Sequence, residues 1–173
     1  MDSQSVKTTR SGGLCRGIDG GKKTKGRKRH IIVDTMGLLL AVSVHAANVH
    51  DSKGAPFVLA ELRYRFSRLV KIIADGGYRG ELIENTRKTF GWVLDVVLRK
   101  DDSKKFQIIP QRWVVERTFA WFESYRRLSK DFEYQTETSQ AMIRIAMIKL
   151  MLNRIKKIKF KQFLRSCFEF ILY

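Results

Sequence analysis

Hydrophobic and polar positions divide the chain into segments of different period. Residues 7–29 show no hydrophobic period and are polar, glycine-rich and basic, which predicts a loop. Two β-rich runs follow, residues 30–34 and 38–46, separated by Thr35, Met36 and Gly37. They predict an antiparallel hairpin, with Asp34 opening its turn. Phe57, Val58, Leu59, Leu62, Phe66 and Leu69 then recur at helical spacing, with Asp51 as the expected N-cap and Pro56 in the first turn. Residues 69–74 read as a short buried strand that ends at Asp75 and is broken by Gly76 and Gly77. A helix over 81–90 stopped by Gly91, a strand over 92–98 and a polar loop over 99–110 come next. The helical period resumes at Trp113. A last helix, capped by Thr138 or Ser139, carries apolar residues nearly all round. Strands alternating with helices after a hairpin predict an α/β fold with a mixed sheet and flanking helices.

Length and charge sharpen this picture. A chain of 173 residues fits one domain, set here at residues 1–155, with a basic and aromatic tail at 156–173. Lys and Arg total 34 against 17 acids, a formal net charge of +17. A surface so charged repels itself unless a polyanion neutralises it, so DNA is the expected partner. Lys22, Lys23, Lys25, Arg27, Lys28 and Arg29 are the first candidates for phosphate contact. Two cysteines, Cys15 and Cys167, stand far apart and suggest neither a disulfide framework nor a zinc site. Residues 141–152 are interrupted by Arg144 and Lys149 and are shorter than a membrane span, and the first residues have no signal-peptide character. A cytoplasmic protein with no membrane partner is expected.

Candidate chemistry rests on carboxylates, because no nucleotide-binding glycine loop and no nucleophile motif is present. Asp75 closes a buried strand, the sheet edge where ligands of α/β folds collect. Glu116 lies in the first turns of a core helix and can point back at a strand end. Asp2 precedes a polar stretch, residues 3–9. Three hard oxygen donors of this kind suit Mg2+ or Mn2+. His30, His45 and His50 favour ordinary polar and capping roles, Trp113, Phe119 and Trp121 favour the core, and Tyr78 divides evenly between packing and phosphate contact.

Four blocks of sequence resemble the DDE-class transposases of bacterial insertion sequences, in the insertion-sequence-five branch. They are Asp2-Ser3-Gln4-Ser5-Val6, the stretch from Gly26 to Leu38, Ala74-Asp75-Gly76-Gly77-Tyr78-Arg79-Gly80, and Arg112 to Trp121 with Arg126-Arg127-Leu128. The resemblance runs from about residue 2 to about 155. It implies an RNase H-like fold and DNA strand cleavage and joining with two Mg2+ or Mn2+ ions held by Asp2, Asp75 and Glu116. Element ends and target DNA are the implied substrates, with a homodimer on DNA as one assembly. Arg112, Arg117, Arg126, Arg127 and Lys130 join the expected DNA contacts.

Two departures accompany the resemblance. Relatives carry Tyr, Arg, Glu and Lys in a fixed spacing around the final acid; Arg112 and Glu116 fit, whereas Ile109 and Glu123 occupy the Tyr and Lys positions. The family also places a strand before its first acid, and Asp2 is the second residue here. That strand is expected to be largely missing, as in an N-terminally truncated copy. The rival reading is a non-catalytic DNA-binding remnant.

Overall fold

A computed structural model of the chain describes residues 1–10, 12–98 and 113–171, with 159–171 given by their backbone alone. The central element is strand β3 (Thr24–Val33), whose ten residues pair antiparallel on both sides. On one side lies β1 (Asp2–Lys7), and on the other the short β2 (Gly17–Asp19) followed along the same edge by β4 (Leu39–Ala46). The expected hairpin is present, and Asp34 builds its turn by accepting from the amides of Met36 and Leu38 at 2.9 and 2.8 Å. The expected loop over 24–29 is corrected: those residues form the first half of β3. Pairing on both edges satisfies the backbone of this polar run, so hydrogen bonding overrides its missing hydrophobic period.

Residues 2–7, expected as the start of a polar stretch, also pair as a strand, from Asp2 opposite Ile31 to Lys7 opposite Gly26. Its head reaches the second sheet, where the Met1 amine donates to the carbonyl of Ile73 at 2.6 Å. That sheet pairs β5 (Lys71–Ala74) parallel with β6 (Val93–Val96). Beyond Met1, the Ile32–Val33 end of β3 and the Ile72–Ile73 part of β5 flank a cavity of about 490 Å3, roofed by Val114 and Val115.

Helices cover both faces. On one side α1 (Asp51–Ala60) and α2 (Glu81–Phe90) pack against Ile32, Ala41, Ile72, Ala74 and Leu94. On the other, α3 (Trp113–Glu123) and α4 (Thr136–Ile171) enclose Ile31, Val42 and Val44 with Phe119, Phe122, Ile143 and Met147. The switch from Ile31 to Ile32 between the two cores follows from the period of two along a strand. α2 stops as expected at Gly91, whose φ of 74° suits glycine. α1 ends earlier than its spacing predicts, at Ala60, yet Leu62 remains fully buried, so the periodicity reported burial beyond the helical hydrogen bonds. The cap of α1 is His50, whose side chain accepts from the Ser52 amide, and Asp51 lies within the first turn. α4 starts at Thr136, ahead of the expected cap, and its backbone continues through residues 156–171 with no break. The expected loop over 99–110, Ile109 and Arg112 lie outside the described residues.

Candidate carboxylate site and basic surface

Parity along the strands positions the first of the three predicted acids. Asp2 lies directly opposite Ile31, and facing residues of an antiparallel pair project to the same side. Ile31 belongs to the core under α3 and α4, so Asp2 sits on the face covered by the helix that carries Glu116. Ile72 and Ala74 pack in the opposite core, Ile73 lines the cavity shared with Val114 and Val115, and Asp75 follows directly after β5. The Met1 bond to Ile73 joins the strand of Asp2 to the strand that ends at Asp75. Asp75 itself caps a 3-10 turn, Gly76–Tyr78, by accepting from the Gly77 amide at 2.9 Å.

Asp2 and Asp75 also meet electrostatically at Tyr78. Its hydroxyl is buried and has no hydrogen-bond partner among the described residues. Burial first, then the charges of Asp2, Asp51 and Asp75, raise its pKa well above the usual phenol range. Tyr78 is thus a packed residue of the α1 core that directs a polar tip toward these acids. In donor chemistry the hard oxygens of Asp2 and Asp75 suit a divalent ion such as Mg2+. Among the described residues, however, no three His, Cys, Asp or Glu side chains are grouped closely enough to hold one. Glu116 lies exposed in the first turn of α3, and among the described residues it does not complete a three-acid cluster.

The sequence reading assigned Asp51 to a cap, and the structure gives it far more. One of its oxygens accepts from Ser3 Oγ at 2.8 Å and pairs with Lys28 Nζ at 2.9 Å, and His30 Nε2 stands 3.6 Å away. Burial alone would raise the Asp51 pKa; the approach of His30 and the bonds from Lys28 and Ser3 outweigh it and hold the carboxyl well below the usual range. Behind it, His45 Nδ1 lies 2.9 Å from the Ala46 carbonyl, and His45 Nε2 lies 2.7 Å from His30 Nδ1. A carbonyl can only accept, so His45 carries its proton on Nδ1 and its Nε2 accepts from His30. Burial lowers the pKa of both rings. Gly54 is required here, because a Cβ would stand 2.5 Å from the His30 ring. The signal that could have found Asp51 is its partner set: Ser3, which pairs with His30, lies on the same face of the β1–β3 ladder as Lys28 and His30.

The basic residues separate into two classes. Lys22, Lys23 and Lys25 are exposed around the β2–β3 turn, which Asp19 builds by accepting from the Gly21 and Lys22 amides. Arg126, Arg127 and Lys130 are exposed beyond α3, with Arg127 bridged to Glu133 at 2.8 Å. Arg117 is half-buried, donating to the Met36 carbonyl at 2.9 Å and lying over the rings of Trp113 and Trp121. Arg27, Lys28 and Arg29, by contrast, are buried inside the fold. Arg27 donates to the carbonyls of Leu14, Glu133 and Tyr134 and pairs with Asp131 at 3.2 Å, both side chains 0% exposed. Arg29 donates to the Leu128 carbonyl at 2.8 Å. A phosphate could reach these three only by displacing protein partners.

This architecture coincides with a family match across residues 1–151, to the transposase DDE domain. The chain belongs to that family. A candidate transposase for insertion sequence element IS402 from Burkholderia cepacia is 28% identical over 139 residues, which cover 76% of this chain and 65% of that relative. The chain thus spans slightly less than two thirds of this relative's length. No solved structure matches it. Among the described residues, no helix is long and apolar enough to cross a membrane.

Proposed function

We propose that the chain is the catalytic core of an insertion-sequence transposase with an RNase H-like fold. It cuts and joins DNA strands, with Asp2, Asp75 and Glu116 as its acids. The observation that supports this reading is the hydrogen bond from the Met1 amine to the Ile73 carbonyl, which brings the strand of Asp2 beside the strand that leads to Asp75. Mg2+ or Mn2+ ions held by these carboxylates would supply charge stabilisation to the attacked phosphate. In the first step a water oxygen bonds to phosphorus as the bond to the 3′ oxygen breaks and that oxygen takes up a proton. The freed 3′-OH then bonds in line to a target phosphorus as the target's own bond to its 3′ oxygen breaks, releasing a target 3′-OH. Exposed Lys22, Lys23, Lys25, Arg126, Arg127 and Lys130 hold the DNA backbone on the protein, contacts that carry register without base information.

Asp75→Asn is expected to abolish Mg2+-dependent or Mn2+-dependent nicking of supercoiled DNA bearing the element ends, and unchanged nicking would overturn the assignment. The exposed basic residues by themselves fit a second reading as well, a DNA-binding body without catalysis. Both readings give salt-sensitive DNA binding, so only the cleavage assay separates them.

A further inference from the structure

We propose that Asp51 is a positioning residue for the carboxylate site, holding the strand of Asp2 and the turn of Asp75 in one arrangement. The inference rests on the transposase reading and adds to it an acid outside the three. Ser3 is the link to the first acid: its amide donates to Asp2 Oδ1 at 2.7 Å and its hydroxyl donates to Asp51 Oδ1 at 2.8 Å. Gly77 is the link to the second. Its amide donates to Asp75 Oδ1, and a Cβ built on it would lie 3.2 Å from Asp75 Oδ1 and 3.3 Å from Asp51 Oδ2. The two carboxylates therefore flank one glycine, which leaves room for both.

Asp51 is itself held in place. Lys28 Nζ pairs with it at 2.9 Å while donating to the Val49 carbonyl, also at 2.9 Å, so the lysine is anchored to the segment that leads into α1. The first turn of α1 favours a negative side chain through the helix dipole. Residues of this kind, which orient the groups that do chemistry, typically change metal affinity or activity by about 10–100-fold when removed.

The test compares wild type with Asp51→Asn, Ser3→Ala and the double variant Asp51→Leu with Lys28→Met, which exchanges the charge pair for apolar groups of similar size. Thermal unfolding, Mn2+ binding by titration calorimetry and Mn2+-dependent plasmid nicking are measured on each. Asp51→Asn and the double variant are expected to weaken Mn2+ binding and slow nicking by about 10-fold or more. The double variant should unfold near the wild-type temperature, which separates positioning from mere stability. Ser3→Ala, the safeguard should the double variant not fold, is expected to weaken Mn2+ binding several-fold. A folded double variant, or a Ser3→Ala protein, with wild-type Mn2+ affinity and nicking would overturn the proposal while leaving the transposase reading intact. Wild type that neither binds Mn2+ nor nicks DNA, or nicking unchanged in Asp75→Asn, would overturn that reading and this proposal with it.

Discussion

Two stretches of basic residues, adjacent in sequence, have opposite physical roles. Lys22, Lys23 and Lys25 lie in and beside a turn and are exposed, with Lys22 Nζ also donating to the Ser3 carbonyl at 3.3 Å. Arg27, Lys28 and Arg29 begin one step later on β3, and each is buried with a protein partner. Within the buried group a further contrast appears. Among the described residues, Arg27 has a carboxylate and four carbonyls around it, whereas Arg29 has one carbonyl and leaves its Nε without a hydrogen bond. Burial lowers the Arg29 pKa to about 10, against the pull of Asp131. Positive charge along the chain thus serves as glue in one place and as an outward-facing field in the next.

The contrast breaks most visibly at Arg27. Arg27→Ala strips Asp131 of its partner in the interior and is expected to cost about 3–5 kcal/mol in urea unfolding. Arg29→Met, which replaces a poorly satisfied charge with an apolar side chain of similar length, is expected to be neutral or stabilising by about 1 kcal/mol. Equal losses at the two sites would show that burial alone, and not pairing, sets the cost.

A smaller effect follows from pH. The pKa values of His30 and His45 are lowered by burial, so below about 6.5 the unfolded chain binds protons that the folded one refuses. Stability is therefore fully present above that pH, falls on acidification and levels off below the folded values. Asp51, whose pKa is depressed, adds a second loss as pH drops below its ordinary value of 3.8. His30→Gln should reduce the first limb in pH-dependent thermal melts and weaken the second as well, because His30 is among the groups that hold the Asp51 carboxyl low. The smallest effect on stability is expected at the turn. Replacing Lys22, Lys23 and Lys25 together with Gln should leave unfolding within about 0.5 kcal/mol. The same change should reduce the salt slope of DNA binding by up to about 0.9 per lysine removed. A slope that does not change would place the DNA elsewhere.

The sequence carried most of the architecture because its signals there are local. Gly91 ends α2, Asp34 turns the hairpin, and the β-branched run before Asp75 forms β5. What it concealed depends on partners distant along the chain. Nothing near Arg27 announces Asp131, which lies 104 residues away, and nothing near Asp51 announces Ser3, 48 residues away. A basic run reads as solvated until the strands that cover it are known. The side of the sheet on which Asp2 lies required the pairing register, which sequence periodicity does not supply.

That register has a consequence for assembly of the fold. Odd positions of β3 deliver Arg27, Arg29 and Ile31 to the α4 side, and even positions deliver Lys28, His30 and Ile32 to the α1 side. Sliding the strand by one place would exchange both sets at once, pressing guanidinium groups where Asp51 and its histidines belong and stranding Asp131 opposite a lysine. A frame error in this strand is therefore penalised twice, once on each surface. The same side chains that serve the site thus proofread the alignment of the sheet that carries it.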